Sequence, residues 1–478
     1  MKNIRNIVIL IAFVGLHSCS EDTMQEINKN PNNPTEMAAR LIITEIINRT
    51  SFTTTGADLA LYASVYIEYN VGIWNQFYSA ERRTAQPIAN TTYNNNWVSS
   101  YSNLMNLKTI IEKCSPGGPE EENTVILGMA QVLKAYNLAI LTDLFGDIPW
   151  SQALQPGEYF TPDLDSQEAI YKDIFQLLDD AIANLSEPSS MPAIGAQDPI
   201  FAGNREAWLR FAWGLKARYT MRLSHRTPKY AEVIEAASKS FTAKAQEARR
   251  PCSATFPNPF YRFFTDRDNL ASSQSLHDKL ALRNDPRIPK FFKAHPDADA
   301  LEYAPNETPN AEQKRYGVSA LSVLTAPIYL MSFHELEFLK AEAHARNGDL
   351  VAARTHLSSA ISAAFTSSNV GLTAADATAY FTARVEPRLT NAAEILKEIM
   401  VQKYIGLYEI EAIETYNDIR RLKAMGQGDF YELANKLSFP LRFTYGSADV
   451  VTNENVRNAY GDGSYVYNQN VWWAGGTR

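Results

Sequence analysis

Few residues of this sequence have the types and spacing that catalysis requires. HELEF, which begins at His334, starts like a zinc-binding helix, but Phe338 stands where the second histidine should follow. DRDNLA, from Asp266, starts like a calcium loop, but Leu270 and Ala271 stand where a ligand and a glycine are needed. We therefore expect His334 to be an ordinary packed or surface histidine, and we predict no EF-hand, no metal site and no cofactor.

Nucleophilic and phosphate-binding motifs are also missing from the sequence. It contains no Gly-x-Ser-x-Gly, Walker or glycine-rich dinucleotide pattern. Paired carboxylates could still hydrolyse glycosides, because such partners meet only in the fold and the chain has 53 acidic residues. The prediction is a protein without catalytic activity, with a surface glycan hydrolase as the alternative.

Two aromatic segments outside the amphipathic helices are better suited to binding. They are YNVGIWNQFYSAERRT, from residue 69, and NPFYRFFTDRDN, from residue 258. Aromatic faces with a few hydrogen-bonding groups hold sugars and peptides, because rings give large, rigid contact at low entropic cost. For any one ring, packing in the core is the competing interpretation. The candidate ligand-binding residues are Trp74, Asn75, Phe77, Tyr78, Arg82, Phe260 and Tyr261.

The N-terminus has the pattern of an export signal. Lys2 and Arg5 precede an uncharged apolar run over 7–16, which as a helix of about 15 Å is too short to span a bilayer. GLHSCSED then resembles the lipobox of a bacterial lipoprotein precursor, although His17 is larger than the usual residue there. We predict a lipoprotein signal peptide over 1–18 and lipidation of Cys19; an ordinary signal peptide is the alternative.

Charge and cysteine content narrow the function further. Without Lys2 and Arg5 the chain keeps 43 basic and 53 acidic residues, a net charge near −10. This argues against nucleic-acid binding and against electrostatic docking on anionic lipid, so membrane attachment would depend on acyl chains. Beyond Cys19 only Cys114 and Cys252 remain, as one bridge or two free thiols, which excludes a disulfide framework.

The elements that must position these residues are mainly helices. After a polar tether over 19–36, the prediction is one domain over 37–478. DSQEAIYKDIFQLLDDAIANL predicts a helix with Asp165 as its N-cap and Glu168 completing a capping box. The region from about 251 to 330 is rich in proline, aromatic residues and charge and has weak periodicity. We interpret it as an irregular, loop-rich insertion that carries function.

Helix pairs recur along the chain. ELEFLKAEAHARNGDLVAARTHLSSAI reads as a helix, a turn at Gly348 and a second helix, with alanines where the two helices approach, as in tetratricopeptide repeats. AQVLKAYNLAILTDLFGDIPWSQAL predicts a helix through Leu144, a turn at Gly146 and another helix starting near Pro149. The predicted fold class is mainly all-α, a scaffold of tetratricopeptide-like helix pairs, with a plain helical bundle as the alternative.

Several segments, in order, resemble the SusD/RagB family of outer-membrane nutrient-binding lipoproteins. They are TDLFGDIP, AWLRFAWGLKARYTMRLS, SFHELEFLKAEAHARNG, EIMVQKYIGLYEIEAIETYNDIRRL and FPLRFTYGSADVVTNENV. Tyr416 replaces a tryptophan usual in the fourth segment, which we interpret as a change in the core. Together with the lipobox, the resemblance covers nearly the whole chain after residue 19.

The resemblance implies a location, a partner and a role. Members are anchored at the surface of Bacteroidetes-type outer membranes, where they act as a lid on a SusC-like TonB-dependent transporter. An oligosaccharide or a peptide is the implied ligand, with contacts in the two aromatic neighbourhoods. A helical-repeat scaffold that binds no small ligand is a further alternative.

Overall fold

A computed structural model describes residues 37–84, 91–306 and 312–478. The predicted signal peptide over 1–18, the predicted lipidation of Cys19 and the predicted tether over 19–36 lie outside the described residues. Within them the chain is mostly helical, as the sequence predicts.

The helices follow one another along the whole described chain. In chain order they are α1 Ala39–Arg49, α2 Asp58–Tyr66, α3 Asn75–Glu81, α4 Asn94–Cys114, α5 Thr124–Phe145, α6 Gln167–Ser186, α7 Arg205–Arg222, α8 Tyr230–Ser238, α9 Pro259–Asp266, α10 Gln274–Ala281, α11 Ile288–Phe291, α12 Phe333–Arg346, α13 Leu350–Phe365, α14 Ala374–Tyr380, α15 Ala392–Gly406, α16 Ala412–Ala424, α17 Ser447–Thr452, α18 Glu454–Tyr460 and α19 Tyr465–Asn468.

The strands are short and form antiparallel pairs, β1 with β5, β2 with β3, β4 with β8, and β6 with β7. Their bounds are β1 Asn70–Gly72, β2 Ile148–Pro149, β3 Leu164–Asp165, β4 Ala248–Arg250, β5 Leu270–Ser272, β6 Phe292–Lys293, β7 Val318–Ser319 and β8 Ile328–Met331. Each pair joins loops to the helical scaffold rather than forming a layer of its own.

The predicted helix pair over α12 and α13 is confirmed. Gly348 has φ +86° in the turn between them, a backbone conformation that favours glycine. Asp349 then caps α13, because its Oδ1 accepts a hydrogen bond from the Ala352 amide at 3.0 Å. Ala341 and Ala353 are fully buried where the helices approach, so small side chains set the close packing of this pair.

The second pair, α5 with α6, differs from the sequence prediction. A helix does end after Leu144 and a turn follows at Gly146, but no helix starts near Pro149. The β2–β3 hairpin intervenes, and α6 begins only at Gln167. The two helices nevertheless pack closely: a Cβ on Gly128 would lie 2.5 Å from Cγ of Leu185.

The cap of α6 is also not the predicted one. Ser166 is the N-cap, and its Oγ accepts from the Ala169 amide at 3.3 Å. Asp165 lies in β3, where its Oδ2 accepts from the amides of Trp150 and Ser151 at 3.0 and 2.7 Å. The carboxylate therefore closes the hairpin instead of starting the helix.

The core runs through the scaffold helices, and α5 lies at its centre. Among the described residues, α5 is the one helix long and apolar enough to cross a membrane, but 83% of its apolar window is buried in the protein. Cys114 and Cys252 are also buried, and both thiols are free.

The region predicted as an irregular insertion contains short elements separated by loops. These are α9, β5, α10, α11, β6 and β7, none longer than eight residues. Residues 307–311 within it lie outside the described residues.

Candidate functional site

The structure brings the two aromatic segments together. β1 and β5 pair antiparallel, with Gly72 opposite Leu270, and the Ile73 amide donates to the carbonyl of Asn269 at 2.9 Å. This short ladder links sequence positions about two hundred residues apart, so both segments belong to one surface.

Gly72 lets α3 start immediately after β1. A Cβ at this position would lie 1.8 Å from the carbonyl oxygen of Phe77. Only a residue without a side chain can occupy such a close approach. The glycine therefore fixes the sharp change of direction that brings the following Trp74 to the start of α3.

Trp74, Tyr78 and Arg82 form what we call the aromatic ridge. They recur every four residues, with Trp74 as the N-cap of α3, Tyr78 within it and Arg82 as its C-cap. Trp74 is 44% exposed, and the Arg82 guanidinium lies 5.9 Å from the centre of the Tyr78 ring. Asn75 follows Trp74 with φ +50°, a left-handed conformation that asparagine tolerates better than most residues.

Two candidate rings lie beneath this surface rather than on it. Phe77 is fully buried, with ring-centroid distances of 4.9 Å to Tyr62 and 5.5 Å to Phe263. Phe260 is 6% exposed. In this structure the two rings support the exposed groups and join α3 to α9 and the scaffold.

The start of α9 is fixed by Asn258. Its Oδ1 accepts from the amides of Phe260 and Tyr261 at 2.8 and 3.2 Å, and Pro259 occupies the first helical turn. Its Nδ2 donates to the carbonyl of Ala326 at 3.0 Å. This cap holds the half-buried Tyr261 beside the loop that precedes β8.

Tyr261 lines a cleft of about 330 Å³, which we call the insertion cleft. Its polar and charged lining comes from loops of the insertion and from β6 and β7. The lining residues are Tyr261, Phe264, Thr265, Asp268, Lys293, His295, Pro296, Asp297, Lys314, Val318, Ser319 and Ser322.

Two side-chain contacts organise this cleft. Nε2 of His295 lies 3.1 Å from Oδ1 of Asp268, and Nζ of Lys314 lies 3.0 Å from Oδ2 of Asp297. The hydrogen bond from Lys314 lowers the pKa of Asp297. Sequence reasoning missed these residues as candidates, since no motif links positions so far apart. Asp268 belongs to the rejected calcium-like stretch, and its carboxylate faces a histidine here.

His334 is a packed residue of the protein interior. It is buried, and burial lowers the pKa of its imidazole to about 4, which favours the neutral ring. Across the parts of the chain that the structure describes, no group of three or more His, Cys, Asp and Glu side chains is arranged to hold a metal ion.

Neighbouring carboxylates occur at the surface, where Glu302 and Glu312 share Arg315, and deep in the scaffold. Arg218 donates to Glu335 at 2.9 Å and to Glu411 at 3.2 Å, and all three side chains are at most 2% exposed. Burial and the neighbouring charge of Glu335 raise the pKa of Glu411. A substrate has no access to this pair, whose arrangement serves to join α7, α12 and the turn before α16.

Further clefts of similar size share no residue with the ridge or the insertion cleft. One of about 400 Å³ lies beside Met129 and Met191, and one of about 450 Å³ beside Lys134 and Trp150.

The fold is thus that of a helix-pair scaffold with a loop-rich second region. A family model described as SusD-like, "starch-binding associating with outer membrane", matches residues 31–446. A crystal structure of a SusD/RagB family protein from Bacteroides thetaiotaomicron is 40% identical with a TM-score of 0.87, covering 92% of this chain and 100% of that one. The chain belongs to the SusD/RagB family.

More distant structures share the fold. A chitin-binding SusD homologue from Flavobacterium johnsoniae is 20% identical with a TM-score of 0.74, covering 91% of this chain and 98% of that one. A SusD homologue from Bacteroides fragilis is 20% identical with a TM-score of 0.73, covering 92% and 99%. A search of curated protein sequences gives no match.

Proposed function

We propose that this protein is a nutrient-binding lipoprotein of the outer-membrane surface. It is held by lipid on Cys19, captures an oligosaccharide or a peptide, and delivers it to a SusC-like TonB-dependent transporter. Its own role is binding, without catalysis.

The observation that carries this proposal is the aromatic ridge next to the insertion. Trp74 keeps 44% of its surface exposed next to the buried Ile73, and it lies in the segment that β1 ties to the insertion. An exposed indole with a neighbouring phenol and guanidinium supplies the stacking face and the donors that a sugar ring or a peptide needs.

An oligosaccharide is the better-supported ligand. The family is described as starch-binding, and a structural relative is described as chitin-binding. A peptide remains the competitor that the binding experiment must include.

Calorimetric titration of the soluble protein with malto- and chitooligosaccharides and with a peptide mixture tests the proposal. Trp74→Ala should lower affinity by about tenfold or more, as expected for a central aromatic contact. Phe160→Ala is the matched control, since Phe160 is an 84% exposed ring outside the site, and it should change nothing. Equal binding by wild type and Trp74→Ala would refute the assignment of the ridge.

The alternatives predict different results. A surface glycan hydrolase would release reducing ends from a bound polysaccharide, and would lose turnover on replacement of one carboxylate. A scaffold without a small ligand would bind no member of the panel, while Trp74→Ala would leave growth on the nutrient unchanged.

The anchor and the partner are tested in cells. Cys19→Ser should abolish incorporation of a labelled fatty acid and release the protein from the membrane; labelling that persists would overturn the lipidation site. Co-purification with a TonB-dependent barrel protein is expected from detergent extracts, and its absence would count against delivery.

A further inference from the structure

Glu409 has an unusual place in the fold. It lies in the turn between α15 and α16 with φ +65°, a left-handed conformation that costs most residues about 1–2 kcal/mol. Glycine or asparagine would fit this backbone at lower cost. Glu409 is only partly exposed, and its carboxyl points inward, so the side chain itself requires an explanation.

The carboxyl joins the strand that leads to the ridge to the wall of the insertion cleft. Oε1 accepts from Nδ2 of Asn70 at 2.8 Å, and Oε2 accepts from the hydroxyl of Ser322. Asn70 begins β1, the strand that leads to Trp74, and Ser322 lines the insertion cleft. One side chain of the scaffold therefore ties the ridge and the cleft together.

No cation balances this carboxyl within the described part of the chain. The titratable groups facing it are the phenols of Tyr69, from the segment before β1, and of Tyr408, from its own turn. From the cleft wall only the Ser322 hydroxyl faces it. Burial raises its pKa to about 7, although the hydrogen bonds from Ser322 and Asn70 lower it.

We propose that Glu409 is a positioning residue whose protonated carboxyl holds the ridge and the cleft together, and whose ionisation loosens them. The part that concerns ligand affinity rests on the function proposed above. When the carboxyl is protonated, Asn70 can still donate to one oxygen, while the Ser322 hydroxyl, which donates to the carboxylate, can instead accept from the other. An ionised one is better solvated by water, so raising the pH favours states in which the tie is open.

Hydrogen exchange of the ligand-free protein tests this directly. The amide of Ile73, which donates to Asn269 at 2.9 Å, reports whether the β1 and β5 segments stay joined, and the amide of Ser272, which donates to Gly317 at 2.7 Å, reports whether β5 stays joined to the segment before β7. After correction for intrinsic exchange, their protection should fall in the wild type as the pH rises from about 4.5 to about 7, by at most about tenfold per pH unit, and then level off. In Glu409→Gln the protection of these amides should not change with pH, while the amides of α12 stay protected in both proteins.

Two variants complete the design. Glu409→Ala should give low protection at every pH. Glu432→Gln is the matched control, because Glu432 also has a positive φ, +46°, but is exposed and paired with Lys397 at 2.9 Å; it should behave as wild type. Equal pH dependence in wild type and Glu409→Gln, or a loss of dependence in Glu432→Gln, would overturn the proposal.

Titration with malto- and chitooligosaccharides at pH 6 and 8.5 extends the test to ligand affinity. The wild type should bind more weakly at pH 8.5, and Glu409→Gln equally at both. Binding that is equally strong at both pH values in the wild type overturns the link to affinity. If neither saccharide nor the peptide mixture binds, the proposed function fails, whereas the exchange experiment still decides the role of Glu409.

Discussion

The strongest stability prediction concerns Glu342, a wholly buried carboxylate on α12. It accepts hydrogen bonds from both terminal nitrogens of Arg421 at 2.7 and 2.8 Å and from Nε of Arg346 at 2.7 Å. Glu342→Gln keeps the shape but places an NH₂ donor against guanidinium donors. It also removes the charge that balances two buried arginine side chains.

The expected cost follows from these contacts. A net hydrogen bond to a charged group contributes about 1.5–3 kcal/mol, and breaking a buried ion pair costs about 3–5 kcal/mol. Asp418 remains paired with Arg421 at 2.9 Å, so the loss should lie near the lower limit, at about 3 kcal/mol. Glu168→Gln is the control, because Glu168 pairs with Lys172 at 3.4 Å on an exposed helix face, where such pairs contribute under about 1 kcal/mol.

Urea unfolding at pH 7 measures both variants. Burial opposes ionisation of Glu342, but Arg421 and Arg346 outweigh it and lower the pKa of the carboxyl. Its contribution is therefore present above the ordinary glutamate pKa and is lost as the pH falls below it, so the two proteins should converge in acid. A loss below 1 kcal/mol at pH 7, no larger than that of Glu168→Gln, would refute the reasoning.

Three further predictions follow from particular residues. Gly72→Ala should destabilise the protein by about 1–3 kcal/mol and lower its melting temperature, because the added Cβ overlaps the Phe77 carbonyl; an unchanged melting temperature would contradict this close approach. The stability of Glu409→Gln relative to the wild type should increase as the pH rises from about 4.5 to about 7, by at most about 3 kcal/mol. The reason is that the raised pKa of Glu409 makes the ionised native state costly in the wild type. Parallel pH profiles of the two proteins in urea unfolding would exclude this effect. Burial raises the pKa of the Cys114 thiol to about 12, so iodoacetamide should label it at pH 8 only after unfolding; labelling of the native protein, read by mass spectrometry, would contradict that burial.

The helical scaffold could be predicted where small residues and periodicity coincide. Gly348 marks the turn of the α12–α13 pair, and Ala341 and Ala353 are buried where the two helices meet. Tyr416, interpreted from sequence as a core position, is fully buried, and its hydroxyl donates to the carbonyl of Pro440 at 2.7 Å. These features could be predicted because they depend on residues close in sequence or on a helix face that packs against the core.

The β2–β3 hairpin could not be predicted, because two-residue strands have no periodicity. Asp165 is a residue type that commonly serves as an N-cap. Only in the tertiary fold does its carboxylate accept hydrogen bonds from the hairpin amides, while Ser166 caps the helix. Adjacent cap-forming residues compete, and local sequence does not decide between them.

The two segments that contain the candidate site could be predicted from the sequence, but the relative positions of their side chains could not. Exposed Trp74 and buried Phe77 are three residues apart in one motif, and nothing in the sequence distinguishes their environments. The pairing of His295 with Asp268 and the tie from Glu409 depend on contacts between distant loops. Such contacts come from the fold as a whole.

The central helix α5 has a consequence for biogenesis. The lipid-anchored location proposed above requires export, and a chain that is exported before it folds presents each segment to the translocation channel before folding can bury it. Residues Thr124–Phe145 have the length and mean hydropathy, 1.5, of a stop-transfer sequence. Lys134 lies at the middle of that segment, where a lysine costs about 2.5–3.5 kcal/mol of membrane insertion. Replacing Lys134 by leucine should therefore retain part of the chain in the inner membrane, although the folded protein could accommodate the change.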